Sequence, residues 1–458
     1  MTFSMVNKIT SSFLTLILLV SFNFQIKAQT SNSDIQAGKL NHNSVQFLNA
    51  KAKWQNFYRN TNAIIGLSSD SIYGLADKCI FTLLNNRQVP IGGLKHEGVF
   101  PSYSYKDFNG FWAWDSWKHA FALAGIDSEL AKNSIRSMFD YQDEFGMVAD
   151  CIFPDSSENN WRNTKPPLAA WAVLEIYRQK LDTAFVVEMF PKLIKYHNWW
   201  YLHRDHNNNG LCEYGSTDGT LLAAKWESGW DNAVRFDSAK LLQNNEKAWS
   251  MNQESVDLNS YLYVEKKCLA GLAKVCGRNS LADSIEVDAI KLAALIQKFM
   301  WDDVQGFYFD IDIDTKKHIR VLEPSGWIPL WAGIANKEQA KLIRDHIMNP
   351  SEFNTYVPFP TVAANNSRFN PEKGYWRGPV WLDQAYFAIN GLRKYGYNNE
   401  ADSLMVKIFR NCEGLLDPNK PIRENYHPLT GKGLNAEHFS WSAAHILMMI
   451  RESSPNKY

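Results

Sequence analysis

The amino-acid sequence predicts an all-α protein, a toroidal barrel of paired helices with its chemistry in the long loops between them. Three observations lead there. Apolar residues recur at helical spacing in segment after segment, strand-like alternation is rare, and the connecting stretches collect aromatic and acidic side chains.

Helical periodicity covers 44–60, 115–125, 127–142 and 167–181. Pro191 reads as a first helical turn, followed by Leu193, Ile194, His197 and Tyr201 on one face. Asp257 opens the next helix, with Leu258, Leu262, Leu269, Leu272 and Val275 along its apolar stripe and Gly277 as its stop. Further segments are 280–301, 337–349, 380–396, 400–415 and 437–451. The best strand signal is 306–313, where Phe307, Phe309 and Ile311 alternate with Tyr308, Asp310 and Asp312. No internal repeat or low-complexity tract interrupts the chain, and no Pro/Ser-rich linker follows residue 40.

A chain of 458 residues buries a large core, in one big domain or two to three average ones. Its 48 Lys+Arg balance 48 Asp+Glu, which removes the electrostatic footprint of a nucleic-acid binder or of a protein held on anionic lipid. With 45% hydrophobic and 21% charged residues it is globular. The 17 Trp, 19 Tyr and 26 Phe suit flat amphipathic walls for a sugar ring, though a Trp-rich core would use them equally. Six scattered cysteines form no CxxC pair, so neither a zinc site nor a disulfide frame is indicated, and Cys268 and Cys276 fall in a helical pattern as small buried residues. At the N-terminus, Lys8 precedes an apolar run over 13–24, and Ile26-Lys27-Ala28 ends in a small residue before polar Gln29. This order reads as a signal peptide over 1–28, so an exported protein, periplasmic or secreted, is expected. No later stretch is long and apolar enough to span a bilayer.

Four loop constellations carry chemistry. In Glu227-Ser228-Gly229-Trp230-Asp231-Asn232 two acids lie four apart across a glycine, with Trp226 just before them. An aromatic that excludes water beside a carboxylate raises its pKa, which suits a general acid, although acidic loop residues are more often solvated or capping. Arg423-Glu424-Asn425-Tyr426 is followed by Glu437-His438-Phe439-Ser440-Trp441, which also reads as a turn into the last helix with Asn435 or Ser440 as its cap. Phe111-Trp112-Ala113-Trp114-Asp115-Ser116-Trp117 sets an aspartate among tryptophans at a helix start, where capping is the simplest explanation. In Tyr375-Trp376-Arg377-Gly378-Pro379-Val380-Trp381, Arg377 offers a fork of hydrogen bonds to hydroxyls or a carboxylate, while Trp381 alone reads as core.

Paired carboxylates among aromatics fit glycoside hydrolysis, in which an acid protonates the departing oxygen and a second carboxylate activates water or attacks the sugar. The chain has no GxSxG elbow, GxxxxGK[ST] phosphate loop, GxGxxG after a strand, or HExxH.

The ordered run FWAWDSW (111–117), TKPPLAAWAV (164–173), ESGWDN (227–232), YWRGPVW (375–381), ENYHPLTG (424–431) and FSW (439–441) resembles glycoside hydrolase family 63 over roughly residues 75–452. That family holds α-glucosidases and shares an (α/α)6 barrel with the trehalases. The resemblance implies Asp231 as general acid and Glu424 as general base. It also implies that Trp114, Asp115, Lys165, Trp226, Gly229, Trp376, Arg377 and Glu437 line the subsite of the cleaved ring. Its members invert the anomeric configuration, so a water is expected between two carboxyls roughly 6.5–9.5 Å apart.

Larger relatives carry an N-terminal β-sandwich. Here only an extension over 29–74 precedes a catalytic barrel over 75–458, and this compactness pulls the substrate toward short oligosaccharides and small glycosides such as glucosylglycerate or mannosylglycerate. Lys165 stands where some compact relatives have Gln. The loop Asp205-His206-Asn207-Asn208-Asn209-Gly210-Leu211-Cys212-Glu213 matches the first half of a calcium loop, with Asp205, Asn207, Asn209 and Glu213 as candidate ligands, but residue 216 is Ser where a closing Glu belongs. Some bacterial relatives bind calcium in a similar loop. An Asn/Gly turn explains the same residues, and any ion there is structural, because Asp205 is not among the matched catalytic motifs; no cofactor is expected for the chemistry. Rival readings are a polysaccharide lyase on the same barrel, hinted at by Arg377 and Tyr426, and a non-catalytic glycan-binding protein. A monomer is expected.

Overall fold

The computed structural model describes residues 37–58 and 66–453; the expected signal peptide lies outside them. Six helices, Ala113–Leu123, Ala169–Lys180, Val256–Val275, Ile328–Ala332, Leu382–Lys394 and Ser440–Glu452, form an inner ring. Each packs against the next, and the last returns to the first, so the ring is closed. Ser128–Phe139, Thr183–His203, Asn279–Phe299, Lys337–Met348 and Asn398–Asn411 follow the first five inner helices as outer partners, and Ser69–Asn85 covers the sixth. This is the (α/α)6 barrel.

Burial separates the two rings. Ala113–Leu123 is buried at every position, as an element surrounded on all sides must be, whereas Lys337–Met348 buries only a stripe of Gln339, Ala340, Ile343 and Ile347. The ends differ as well. Asp127, Asp182 and Asn336 cap outer helices through their side chains, the last in a reciprocal capping box with Gln339. The six inner helices have no side-chain cap, and four begin after an aromatic residue: Trp112, Trp327, Trp381 and Phe439. Three of these ends, at Trp112, Trp381 and Phe439, line the cavity described below.

Several boundaries differ from the periodicity. Pro191 lies inside the helix Thr183–His203 rather than in its first turn. Asp182 accepts from the Phe185 N–H at 3.1 Å and starts the helix two turns earlier, and an apolar face from Phe185 to Trp200 outweighs the one hydrogen bond proline removes. The last helix begins at Ser440, not 437, because 433–437 pairs with 423–426 as a hairpin. The 306–313 segment splits into Phe307–Tyr308 and Ile311–Asp312, which join different sheets. Periodicity did not reveal Ser69–Asn85, which runs across residue 75, or the sheet in which Ala248–Glu254 pairs with Glu213–Ser216, Leu241–Asn245 and Ile311–Asp312. All six cysteines are free thiols, five of them buried.

Beneath the loops lies a buried charge network. Arg235 reaches Asp257 at 2.8 and 2.9 Å and Asp310 at 3.2 Å, and its guanidinium lies 4.8 Å from the Trp230 ring centre. Arg204 grips Glu227 through two bonds of 2.6 and 2.8 Å, with both side chains fully buried.

Candidate active site

One hollow at the loop end of the inner ring brings the separated motifs together. Trp114 and Asp115 reach it from the first inner helix, Lys165, Gly229 and Asp231 from loops, Tyr375, Trp376 and Trp381 from a third segment, Glu424 from a hairpin, and Phe439 and Trp441 from the last inner helix. Its empty volume is ≈ 480 Å³, open to solvent. The aromatic wall is a ring stack. Trp376 lies 4.2 Å from Trp381 with planes 8° apart, and Trp230 stacks on its other face at 5.4 Å. The indole N–H groups of Trp114 and Trp441 are buried and have no protein acceptor. Gly229 has φ +76°, and a Cβ there would stand 3.1 Å from the Trp114 indole nitrogen, so glycine keeps that wall intact.

The two acids occupy different environments. Asp231 is deep yet keeps surface on the hollow; burial pushes its carboxyl up to about 6, with Lys165 opposing and Asp150 reinforcing the shift. It is built to hold a proton in mildly acidic solution. Burial also raises Glu424, but it accepts from the Ala436 N–H at 3.1 Å and the Tyr375 hydroxyl at 3.0 Å, which favour the carboxylate. The charge of Asp231 across the hollow also raises Glu424. Tyr375 reaches Glu424 from a left-handed backbone, φ 60°, a strained conformation for a non-glycine residue.

Asp115 is not a cap. It is buried, and burial raises it to about 7 against the pull of Lys118 and Lys165. Lys118 is fully buried behind the wall, 3.1 Å from Asp383, with its ammonium 3.1 Å from the Trp114 ring centre and 4.3 Å from that of Trp441.

Three expected lining residues stand elsewhere. Arg377 donates to the Asn232 carbonyl at 2.6 Å and ion-pairs with Asp237, so its fork braces the loop that carries Asp231 instead of meeting a ligand. Asn232 completes the brace, accepting from the Trp376 N–H and donating to the Gly374 carbonyl, each at 3.0 Å. Glu437 is half exposed and paired with Arg423 at 2.5 Å. Trp226 contributes its carbonyl, which accepts from Lys165, while its ring lies outside the lining under Arg162. Glu227, the other acid of its motif, is the buried partner of Arg204. Tyr426 is fully buried and accepts from the Arg423 N–H, so with Arg377 engaged the lyase hint has no exposed base. Asp150, Tyr375, Trp381 and Trp441 join the site beyond the expected set; the last three stand in the sequence motifs, whereas nothing local marks Asp150.

In the candidate metal loop, Asp205 accepts from the Asn209 and Gly210 N–H groups at 2.9 Å each, with Asn208 and Gly210 in the left-handed region, so the turn expected from the Asn/Gly content is present. Glu254, from a neighbouring strand, accepts from both the Asn207 and Asn209 amides, at 3.2 and 2.6 Å, and pairs with Lys316 at 2.7 Å. Among the described residues no three His, Cys, Asp or Glu side chains group as a metal cluster on their own. The donor set nonetheless fits a hard cation, because Glu213 and Glu254 each keep a buried carboxylate oxygen without a hydrogen bond.

Residues 109–442 match the model of the mannosylglycerate hydrolase MGH1-like glycoside hydrolase domain. A mannosylglycerate hydrolase of Thermus thermophilus is 27% identical over 404 residues, covering 74% of this chain and 94% of the relative. A periplasmic trehalase of Escherichia coli is 27% identical over 401 residues, covering 75% and 67%. The crystal structure of a glycoside hydrolase family 63 mannosylglycerate hydrolase from Thermus thermophilus in complex with glucose superposes with a TM-score of 0.67 at 24% identity, covering 81% of this chain and 99% of that one. No helix among the described residues is long and apolar enough to cross a membrane. With a family model spanning most of its length, the chain belongs to glycoside hydrolase family 63 and is a glycoside hydrolase.

Proposed function

We propose that this protein is an inverting hydrolase of α-glucosidic or α-mannosidic bonds in short glycosides, with Asp231 as general acid and Glu424 as general base. One observation carries the reading: the two carboxyls line a single aromatic-walled hollow, one poised to keep its proton and the other held as a carboxylate by two donors. In the step, Asp231 donates its proton to the departing glycosidic oxygen while Glu424 takes a proton from a water that attacks the anomeric carbon from the opposite face. The aromatic wall meets the ring's apolar face, and Asp115 meets its hydroxyls.

The test is a screen of α-linked disaccharides, glucosylglycerate and mannosylglycerate, with the released anomer followed by NMR. A first-formed β-anomer supports inversion; an α-anomer overturns it. The same screen addresses the substrate, since one relative is named for mannosylglycerate and another for trehalose.

The remaining expectations belong to this reading. Residues 1–28 act as a removed leader and direct export to the periplasm or medium, an extension follows, the catalytic barrel begins with the helix Ser69–Asn85 instead of at residue 75, and the protein acts as a monomer. A structural Ca²⁺ is held by Asp205, Asn207, Asn209 and Glu213, with Glu254 supplying the acid that residue 216 lacks; bound there, the ion would neutralise the buried carboxylates and pin the loop.

A further inference from the structure

Lys165 is buried, and its surroundings leave its ammonium little freedom. Its Nζ lies 3.3 Å from Asp150 Oδ1 and donates to the Trp226 carbonyl. Its own carbonyl accepts from Tyr196 at 2.5 Å, and the preceding N–H, that of Thr164, donates to Glu227 at 3.3 Å. Asp150 is equally fixed: its Oδ2 accepts from Asn160 at 2.8 Å, and its carbonyl accepts from the Ala113 N–H at 2.8 Å. Lys165 lines the hollow with Asp231, so the pair is a rigid feature of the acid's environment.

A lone ammonium beside a general acid is a liability. It stabilises the carboxylate and strips the acid of the proton it must deliver, whereas a carboxylate beside it restores the balance. We propose that Lys165 and Asp150 form a fixed charge pair that tunes when Asp231 holds its proton, so that both are positioning residues for the acid step; this rests on the assignment of Asp231 as the acid. The electrostatics agree in sign: Lys165 draws Asp231 down and Asp150 pushes it up, against a larger rise from burial. Lys165 stays charged itself, because Asp150 and Asp231 outweigh its own burial.

Other charged groups face Asp231 from every side. Asp115, with Lys118 behind it, comes from the first inner helix, Glu424 from the hairpin and Tyr375 from the aromatic wall, while Lys225, Asp237 and Arg377 lie along its own loop and brace. None is substituted in the variants below; Asp115 feels Lys165 and Asp150 in the same sense as Asp231, so its titration moves with that of the acid.

The experiment is the pH dependence of kcat/KM for Lys165→Gln, Asp150→Asn and the double variant, on the glycoside the wild type hydrolyses best. Lys165→Gln should move the alkaline limb up by about 1 pH unit and Asp150→Asn should move it down by about as much, while the double variant returns near the wild type. Opposite displacements from neighbouring residues are not what loosened packing produces. If Lys165→Gln does not fold, Lys165→Met, uncharged and similar in length, carries the same expectation. Limbs that stay in place, or move the same way in both single variants, overturn the proposal. Asp231→Asn is the separate control: wild-type rates there would sink the acid assignment, whereas an inactive Asp231→Asn beside unmoved limbs would sink the charge pair alone.

Discussion

The Tyr375 hydroxyl donates to Glu424 Oε1 at 3.0 Å, from a residue whose backbone is held in the left-handed region. Strain of this kind costs about 1–3 kcal/mol and persists only where surrounding contacts impose it; here the Trp381 indole donates to the Tyr375 carbonyl at 2.9 Å. The bond orients the base and favours its charged form. Tyr375→Phe should therefore lower kcat by about tenfold or more with little change in melting temperature, read from steady-state kinetics beside thermal unfolding.

Removing either acid should be far more severe. Asp231→Asn and Glu424→Gln should each reduce kcat by about 10² or more while unfolding stays cooperative. Calorimetric titration of the inactive variants with the best glycoside should still show binding, since the aromatic walls are intact. Wild-type turnover in either variant would remove that residue from its role.

The pH profile has a sign that follows from burial. Catalysis needs Asp231 protonated and Glu424 ionised, so kcat/KM should fall on the alkaline side as Asp231 loses its proton near pH 6. It should fall on the acid side above the ordinary glutamate range, because burial raises Glu424. A bell with a mildly acidic maximum is expected from initial rates at constant ionic strength; a plateau running through pH 8 would contradict it.

The calcium reading predicts a change in stability without a change in chemistry. Millimolar Ca²⁺ should raise the melting temperature by several degrees over chelator-treated protein, by mass action on the folded state. Glu254→Gln should abolish that response while leaving kcat under saturating Ca²⁺ within about twofold. An unmoved melting temperature in the wild type would leave the loop as an Asn/Gly turn paired through Lys316.

The Arg204–Glu227 pair is a support, not a reagent. Arg204→Met strands a buried carboxylate that also accepts from the Gly215 N–H at 2.6 Å, and should cost about 3–5 kcal/mol in denaturant unfolding.

Helical periodicity marked most of the barrel because an amphipathic helix writes its buried face into a short stretch of chain. Asp231, Glu424, Asp115, Trp114, Lys165, Gly229 and Trp376 were singled out by the resemblance of ordered motifs to glycoside hydrolase family 63, and all seven line one hollow. Direction and partnership could not be read locally. Glu227 and Asp231 share a loop, yet Arg204 claims one and the hollow exposes the other; Arg377 turned toward Asn232 and Asp237, and Glu437 toward Arg423. Asp150 became part of the site through its contact with Lys165, and Glu254 joined the Asp205 loop across strands. These outcomes depend on contacts between residues remote along the chain, formed once the helical ring closes, and no pattern within a single segment encodes them.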